Sequence, residues 1–223
     1  HMMKTSQGFL IVIEGVDGSG KTTQIELLKQ YLALQGRTLQ IISFPRYEDN
    51  LYGQLVRKYL LGEFGTIHEV NPYLISLAYA GDRALAKPLI ENWLNGGQVV
   101  IANRYVSSSK AHLGANLPDD EREEFFKWLD KLEYTENGAP REDLTILLNV
   151  DPSIGQKNVE GKHHPDIHEN DLNHLSKANK IYLELSQKEE NWVVVNCMKD
   201  GQMRSKEEIH AEILKILSDK LPS

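Results

Sequence analysis

Short apolar runs recur along the chain, and between them apolar residues recur at helical spacing. The runs predict five strands, at residues 9–13, 38–44, 99–102, 144–150 and 192–195. The first run contains no polar residue, which is typical of a strand buried on both faces of a parallel sheet. The pattern therefore predicts a sheet with helices covering both of its faces.

Helical periodicity follows the first strand and precedes the third. Ile25, Leu28 and Leu32 would share one face of a helix that ends at Gly36. Asn71 followed by a proline is a typical cap and first turn, and it opens a helix that we expect to reach about residue 95. Both helices would connect strands that follow each other in the sequence, as crossover helices of a parallel sheet do.

Two further helices are predicted in the second half of the chain. One starts near residue 118 and carries Phe125, Leu129 and Leu132 on one face. The other is the last element of the chain, where Ser205 opens a capping box with the sequence Ser-Lys-Glu-Glu. The apolar stripe of this last helix is formed by Ile209, Ile213 and Ile216.

The regular alternation of strand and helix predicts an α/β fold, namely a five-stranded parallel sheet flanked by helices. No repeat and no linker-like change in composition divides the chain, so we expect a single domain over residues 1–223. Residues 1–7 are interpreted as an N-terminal tail with the scar of a cleaved expression tag, because the chain opens with His-Met-Met.

Composition narrows the possible partners. The 223 residues carry a formal net charge of −7, whereas proteins that coat nucleic acid need a basic surface. The single cysteine, Cys197, excludes an internal disulfide and any multi-cysteine metal site. No apolar run is long enough to span a membrane, and no signal peptide is evident. These features predict a soluble, cytoplasmic protein that binds neither a nucleic acid polymer nor a membrane.

The segment between the first strand and the first helix matches the phosphate-binding pattern G-x-x-x-x-G-K-[ST]. Glycines let backbone N–H groups approach phosphate oxygens, and the start of the helix adds its positive dipole end. Lys21 is expected to reach the β- and γ-phosphates, and the Thr22 hydroxyl to bind Mg²⁺. The alternative is a glycine-rich turn with a surface lysine; the flanking strand and helix argue against it. The predicted ATP-binding residues are Gly15, Val16, Asp17, Gly18, Ser19, Gly20, Lys21, Thr22 and Thr23.

Other P-loop classes lack their signatures in this chain. A GTPase needs an Asn-Lys-x-Asp motif to read its base, whereas residues 179–182 are Asn-Lys-Ile-Tyr. The transporter-ATPase signature is also missing. The remaining class is the small-molecule kinases, which transfer a phosphoryl group from ATP.

Arginines follow the second and third strands on the side of the sheet where the P-loop lies. In α/β sheets, ligands bind beyond the carboxyl ends of the strands. Arg46 and Arg104 therefore predict a second phosphate site, since arginine suits bidentate phosphate contact. Tyr79, Asp82 and Arg83 share a face of the helix that begins at Asn71, and the pair of Tyr79 and Arg83 can stack on and hydrogen-bond a nucleobase. By spacing alone, an ordinary amphipathic face is the better interpretation of that pair.

Five segments, in the same order, resemble the thymidylate kinase (dTMP kinase) family, and the similarity covers nearly the whole chain. They are the P-loop with its flanks at 13–24, Phe-Pro-Arg-Tyr at 44–47, Tyr-Ala-Gly-Asp-Arg at 79–83, Asn-Arg-Tyr-Val-Ser-Ser at 103–108 and Asp-Leu-Thr-Ile-Leu-Leu-Asn-Val-Asp-Pro at 143–152. The resemblance implies a P-loop nucleoside monophosphate kinase that phosphorylates dTMP with ATP and Mg²⁺. It also implies a homodimer and a short lid over about residues 153–170.

The resemblance further implies roles for individual residues. Arg46 and Arg104 would hold the acceptor phosphate. Tyr79 would stack on the pyrimidine, Arg83 would bond its O4 edge, and Asp17 would organise the phosphates and metal. The implied substrate-binding set is Arg46, Tyr47, Tyr79, Arg83, Arg104, Ser108, Ser109, His112, Asp166, His168 and Glu169. The implied catalytic set is Lys21, Asp17, Arg104, Lys157 and Lys162, and the implied metal ligands are Thr22 and Asp17.

Four departures from the family pattern leave alternatives open. Asn103 replaces the usual aspartate near the metal, and His168 replaces the lid tyrosine. Ser109 and His112 replace residues that commonly lie near the base and sugar. The lid contains no arginine, so its basic candidates are Lys157, Lys162, His163 and His164. The alternatives are a kinase for another pyrimidine nucleoside monophosphate, such as dUMP, and a nucleotide-binding protein with weak or no turnover.

Overall fold

Five parallel strands form the central sheet in the computed structural model, which describes residues 7–159 and 164–223. The strands lie in the order β2-β3-β1-β4-β5, so β1, which leads into the P-loop, is in the middle. This confirms the predicted five-stranded parallel sheet. The strands are β1 Phe9–Glu14, β2 Leu39–Ser43, β3 Val99–Asn103, β4 Leu144–Asn149 and β5 Trp192–Asn196.

Helices cover both faces of this sheet. The α-helices are α1 Lys21–Leu34, α2 Leu51–Leu60, α3 Pro72–Asn95, α4 Val106–Gly114, α5 Arg122–Asp130, α6 Pro152–Val159, α7 Leu172–Lys188 and α8 Lys206–Lys220. A 3₁₀ turn, Asp119–Glu121, precedes α5 and a π-helical turn, Lys131–Glu136, follows it. A small antiparallel hairpin, β6 Met198–Lys199 and β7 Gln202–Met203, lies between β5 and α8. Within the described residues, no helix combines the length and apolar character needed to cross a membrane.

Two separate apolar clusters explain the unbroken apolar run of β1. Ile11 and Ile13 pack on one side of the sheet, in a cluster that α1 and α8 complete. Leu10 and Val12 pack on the other side, in a cluster that includes Ile90 of α3. Because both faces of the strand are covered, every position from Leu10 to Glu14 is buried, as expected for a parallel sheet.

The predicted caps are present where the sequence placed them. The Asn71 side chain accepts a hydrogen bond from the backbone N–H of Tyr73 at 2.9 Å, and α3 runs to Asn95. The Ser205 hydroxyl accepts one from the N–H of Glu208 at 3.2 Å. Both side chains satisfy N–H groups that have no partner within the helix, which fixes the first turn of each helix.

Two predicted apolar faces differ from those observed by one residue. Leu132 is only half-buried, and Glu133 enters the core instead. The cause is the π-helical turn, whose i→i+5 hydrogen bonds rotate the chain relative to the α5 face. In α8, Leu217 rather than Ile216 joins the core, since spacing of four along a helix keeps residues on one face.

Helices α2, α4, α6 and α7 have no counterpart among the helices predicted above, and α2 and α4 show why. The Asn50 side chain caps α2 by accepting a hydrogen bond from the N–H of Gly53 at 2.9 Å. Helix α4 has no apolar periodicity, because it is buried on all sides, including its polar residues. The polar members of α4 that are buried are Ser107, Ser108, Ser109, Lys110 and His112.

Candidate active site

The P-loop turns tightly between β1 and α1. Gly18 and Gly20 have φ values of 77° and 96°, in the left-handed region that side chains disfavour. A Cβ atom on Gly18 would also collide with the backbone carbonyl of Gly155 in α6. The Lys21 ammonium folds back into the loop and donates to the carbonyl oxygens of Gly15 at 2.9 Å and Val16 at 3.1 Å.

The Lys21 ammonium is held in an environment that disfavours its charge. Burial lowers its pKa to about 7, and the positive charge of Arg104 adds to the shift. A bound phosphate would supply negative charge at this point and would favour the protonated amine. The electrostatic environment of the loop therefore favours an anion.

A cleft of about 780 Å³ runs along the P-loop. This volume lies in the range of small-molecule and cofactor sites. Among the described residues, the cations that line the cleft are Lys21, Arg104, Arg204 and Lys206. Other residues that line it include Phe44, Asn103, Asn158, Val159, Glu169 and Met203.

Buried oxygen atoms in this cleft lack partners. The Ser19 hydroxyl and the side-chain oxygen of Asn103 have no hydrogen bond to any described residue. Leaving a buried acceptor unpaired costs free energy, so such atoms point to a ligand. Together with the Thr22 hydroxyl, they form a set of hard oxygen donors of the kind that Mg²⁺ prefers.

Arg104 joins the P-loop to a second pocket. One guanidinium nitrogen, NH2, donates to the Asp17 carboxylate at 2.9 Å. The other, NH1, lies 3.2 Å from the Ser108 and Tyr182 hydroxyl oxygens and 3.3 Å from Nε2 of His112. Burial alone would lower the pKa of Arg104, but nearby negative groups, chiefly Asp17, together outweigh it and raise the pKa. The guanidinium therefore stays charged.

The backbone at Arg104 is strained. Its φ is 69°, which is unfavourable for a residue with a side chain, and its N–H donates to the Ile13 carbonyl of β1 at 3.0 Å. Left-handed conformations cost on the order of 1 kcal/mol or more and cluster at functional sites. The strain is consistent with a side chain whose direction matters.

A buried glutamate at the end of β1 organises the start of α4. The Glu14 carboxylate accepts hydrogen bonds from the Tyr105 N–H and the Ser107 hydroxyl, at 2.9 and 2.8 Å. It also accepts from the hydroxyls of Ser108 and Tyr182, at 2.7 and 2.8 Å. These four bonds compensate the burial of a charge and explain how a serine-rich helix is accommodated inside the protein.

The second pocket lies beside the P-loop cleft and holds about 60 Å³. It brings together eight of the predicted substrate-binding residues: Tyr47, Tyr79, Arg104, Ser108, Ser109, His112, Asp166 and His168. A neighbouring cavity of about 490 Å³, lined by Glu169 and others, shares Asp17, Tyr47, Leu60 and Asp166 with it. The second pocket is small by itself, but it borders both larger cavities through these shared lining residues.

Arg46 lies behind the second pocket rather than in its lining. Its Nε and its backbone N–H donate to the two oxygens of the Asp82 carboxylate, at 2.8 and 2.7 Å. The Asn50 side chain donates to the same carboxylate at 2.8 Å. Asp82 is buried on the predicted Tyr79–Arg83 face, so its role is to hold Arg46 at the end of β2.

Arg83 is also withdrawn from the lining. Its Nε and NH2 donate to the two Glu133 oxygens at 2.5 and 2.6 Å, and both side chains are buried. NH2 also donates to the Ser109 hydroxyl at 2.9 Å, and Ser109 does line the pocket. Arg83 therefore reaches the pocket through Ser109.

Helix α6 rests directly on the P-loop. The Asn158 side chain donates to the Gly18 carbonyl at 2.9 Å, and Gly155 packs against the P-loop backbone. Lys157, on the same helix, is exposed and lines neither the cleft nor the second pocket. Lys162 and His163 lie outside the described residues. Among the described residues, no predicted lid lysine therefore lies at the site.

The end of the predicted lid is tied to its own aspartate. The Asp166 carboxylate accepts hydrogen bonds from the backbone N–H groups of His168 at 2.9 Å and Glu169 at 2.7 Å. Burial, and then the negative charge of Asp17, raises the pKa of Asp166 above its ordinary value. This turn places His168 over the second pocket and Glu169 against the P-loop cleft.

Residues 13–213 match the family model described as thymidylate kinase. The chain belongs to the thymidylate kinase family. Curated relatives include a thymidylate kinase of Mycobacterium tuberculosis, 31% identical over 183 residues, which cover 79% of this chain and 85% of that protein. A probable thymidylate kinase of Pyrobaculum aerophilum is 33% identical over 208 residues, covering 93% and 95% of the two chains. A solved thymidylate kinase structure from Candida albicans has the same fold, with a TM-score of 0.77 at 22% identity over 96% of this chain and 92% of that one.

Several residues of this kinase-family site were not among the predicted set. Glu14, Asp82 and Glu133 each hold an arginine or its surroundings in place. Sequence offered a signal for Glu14, a charged residue that ends an apolar strand next to the P-loop. Asn158 and Met203, which line the cleft, had no such signal, because polar and apolar surface residues are common in loops and short helices.

Proposed function

We propose that this chain transfers the γ-phosphoryl group of ATP to dTMP in the presence of Mg²⁺, giving ADP and dTDP. The observation that carries the proposal is the Asp17–Arg104 ion pair. Both residues line the P-loop cleft and the second pocket, so one charged pair adjoins two sites of different size. A kinase with two nucleotide substrates needs such an arrangement, because the donor and acceptor phosphates must meet.

Phosphoryl transfer of this kind depends on positioning and charge more than on proton transfer. The acceptor phosphate oxygen attacks the γ-phosphorus in line with the leaving oxygen of ADP. Lys21 would hold the donor phosphates from the P-loop side, and Arg104 would face the acceptor phosphate. Their positive charges offset the negative charge that accumulates between the two anions.

The second pocket would hold the pyrimidine. The ring of Tyr79 lines it and is suited to stacking on a base. The Ser109 hydroxyl accepts from Arg83, so its own hydrogen is free to donate towards the pocket. We infer that the base edge meets this hydroxyl, with Arg83 and Glu133 fixing its orientation from behind.

The side-chain oxygens that line the P-loop cleft are suitable ligands for Mg²⁺. Thr22 and Asp17 would supply oxygen ligands or bind its water molecules, and the unpaired Asn103 oxygen lies in the same cleft. Bound there with ATP, the ion would neutralise part of the phosphate charge. Asn103 contributes a dipole where an aspartate would contribute a charge.

We further propose that residues 1–223 act as a single kinase domain, with residues 153–170 as its lid. The contact between α6 and the P-loop supports this assignment, because closure at that position would exclude water from the transferred group. The positions of Asp166 and His168 in the lining of the second pocket support it too, since both belong to the proposed lid.

A homodimer is the proposed assembly. Helices α2 and α3 expose a row of large apolar side chains, namely Leu51, Tyr52, Leu55, Leu74, Leu77, Leu85 and Leu89. Exposed apolar residues in this number are typical of an interface. The face of α5 is a poor alternative, because Phe125 and Leu129 are buried. Light scattering should give a dimer for the wild type and for Leu34→Glu, and a monomer for Leu74→Glu; a wild-type monomer would contradict the proposal.

The test of the function is ADP release with ATP, Mg²⁺ and each of dTMP, dUMP, dCMP and dGMP. We expect kcat/KM to be highest for dTMP and lower by roughly tenfold or more for dUMP, which lacks one methyl group. Equal or faster turnover of dUMP would reassign the substrate. Binding of dTMP without turnover would instead indicate a nucleotide-binding protein.

A further inference from the structure

Three histidines form a buried cluster next to Arg104. His112 comes from α4, His168 from the lid and His174 from the first turn of α7, and each is at most 7% exposed. The ring of His168 stacks on that of His174, with centroids 4.4 Å apart. Its Nε2 lies 2.7 Å from the Tyr59 hydroxyl. Only His112 and His168 line the second pocket, so His174 has no direct contact with a ligand there.

A chain of hydrogen bonds runs from Arg104 into this cluster. Nε2 of His112 lies 3.3 Å from the Arg104 NH1, and Nδ1 of His112 lies 3.3 Å from Nε2 of His174. Nδ1 of His174 lies 3.0 Å from the side-chain oxygen of Asn116. Each ring nitrogen of His112 and of His174 therefore takes part in one of these hydrogen bonds.

The chemistry at the two ends fixes the direction of the chain. Arginine can only donate, so Nε2 of His112 must accept and its proton must sit on Nδ1. That proton is donated to Nε2 of His174, whose own proton is then on Nδ1 and is donated to Asn116. Both imidazoles are thereby neutral and in the Nδ1–H form.

The same three rings could in principle bind a metal ion, since one nitrogen of each lies within 4.8 Å of the others. Two observations argue against it. A metal on Nδ1 of His112 would force the proton onto Nε2, where it would face the N–H of Arg104. A divalent ion would also lie close to the guanidinium charge, with no described carboxylate in the cluster to offset it.

We infer that His174, acting through His112, is a positioning residue that holds Arg104 towards the acceptor phosphate. The inference rests on the proposed function. Arg46 and Arg83 are each held by a carboxylate, which offsets their charge. Among the described residues, Arg104 also pairs with one carboxylate, Asp17, but the acceptors on its NH1 side are neutral. Neutral imidazoles orient the guanidinium and leave more of its charge for the substrate phosphate.

Burial supports the neutral state of both rings. Burial, and then the positive charge of Arg104, holds the pKa of His112 well below its usual range. Burial lowers the pKa of His174 to about 4. Neither ring competes with Arg104 as a cation at neutral pH.

The first test does not depend on any activity. Two-bond ¹H–¹⁵N spectra of the nucleotide-free protein report which ring nitrogen of each histidine carries the proton. We expect the Nδ1–H form for both His112 and His174, with assignment by the His112→Phe and His174→Gln variants. An Nε2–H form of either ring would overturn the chain, whatever the protein phosphorylates.

The second test separates orientation from packing. His174→Leu removes the acceptor for His112, whereas His174→Gln keeps a side-chain oxygen that can accept. We expect KM for dTMP to rise roughly tenfold in His174→Leu, because the buried Nδ1–H of His112 would lose its acceptor, and KM for ATP to stay within about twofold. His174→Gln should lie close to the wild type, as should the control His210→Leu on α8.

Two outcomes of the second test would overturn the inference. One is an unchanged KM for dTMP in His174→Leu. The other is an equal rise in His174→Leu and His174→Gln together with an equal fall in melting temperature, which would reduce His174 to packing. Stoichiometric binding of Zn²⁺ to the cluster with a gain in activity would replace the chain with a metal site.

Discussion

The P-loop cleft and the second pocket differ in how their cationic and polar groups are held. In the cleft, the groups that would meet phosphate come from one continuous segment, and several of them are left without protein partners. Lys21 has only backbone carbonyls as its hydrogen-bond acceptors among the described residues. At the second pocket, Arg104 in the lining and Arg46 and Arg83 behind it are each already paired with a carboxylate.

This difference separates a site built from the backbone from one built from ion pairs. A backbone loop needs only glycines and a helix start to present its N–H groups, so it is prepared locally. Long arginine side chains need partners to hold them in one direction, and here those partners come from α3, the π-helical turn and the P-loop. The donor site is therefore local in sequence and the acceptor site depends on the whole fold.

The largest effect is expected from removing the one side-chain cation of the backbone-built site. Lys21→Ala should lower kcat on the order of a thousandfold, because no other P-loop side chain supplies positive charge to the donor phosphates. Circular dichroism should show an unchanged fold. Lys29→Ala, an exposed lysine of the same helix, is the control. Near-normal turnover of Lys21→Ala would rule out the P-loop as the donor site.

Breaking a pair in the acceptor site should affect stability as well as binding. Glu133→Gln leaves the buried Arg83 guanidinium without its charged partner and should lower the free energy of unfolding by about 3–5 kcal/mol. Urea unfolding measures this, with Glu136→Gln in the same turn as the control because that residue is exposed. A loss no larger than in the control would show that the pair is not needed to keep Arg83 buried.

A milder change in the acceptor site should act on one substrate alone. Asp82→Asn replaces the carboxylate that accepts from Arg46 and should raise KM for dTMP roughly 10- to 100-fold, as for loss of hydrogen bonds to a charged group. KM for ATP should change little. Glu48→Gln, which breaks the exposed pair with Arg57, is the control. Equal changes in both KM values would mean that the two sites are not separable.

In the proposed donor site, a negative charge can be added at Asn103, whose side-chain oxygen has no hydrogen-bond partner among the described residues. Asn103→Asp should lower the Mg²⁺ concentration for half-maximal rate by several-fold, because a carboxylate binds the ion more strongly than an amide oxygen does. The measurement is a Mg²⁺ titration of the rate at saturating ATP and dTMP. An unchanged titration would place the metal away from this residue.

The smallest predicted effect is the uptake of a fraction of a proton when ATP binds at pH 8. The pKa of Lys21 is lowered from 10.5 to about 7, so at pH 8 the amine of the free protein is mostly neutral. ATP restores its charge, so binding should take up protons at pH 8 and take up none through Lys21 at pH 5.5, where the amine is already protonated. Calorimetry in buffers of different ionisation enthalpy measures this. Equal uptake by Lys21→Ala at pH 8 would assign it to another group.

The sequence predicted the sheet and the glycine-rich turn between β1 and α1 because both depend on local patterns. The apolar run of β1, the glycines of the P-loop and the caps at Asn71 and Ser205 act within a few residues of themselves. Helix α4 was not predicted, because its buried serines are stable only where Glu14, more than ninety residues earlier, accepts their hydrogen bonds.

For the proposed acceptor site, the sequence indicated individual residues but not the ion pairs that hold them. Tyr79, Arg83 and Asp82 were placed on one face of α3, but spacing could not show that Asp82 holds Arg46 and that Arg83 turns to Glu133. Glu133 is buried only because a π-helical turn rotates the chain, and no local signal marks that turn. Contacts between distant segments decide these roles, and one sequence does not reveal them.

The central claim is that Asp17 and Arg104 join a donor site to an acceptor site. The most direct measurement follows the γ-³²P label of ATP after one turnover with dTMP. We predict that the label appears in dTDP, with inorganic phosphate a minor product, and that Arg104→Gln reduces this transfer more than it reduces ATP binding. Label found only in inorganic phosphate, or retained in ATP while dTMP is bound, would contradict the account.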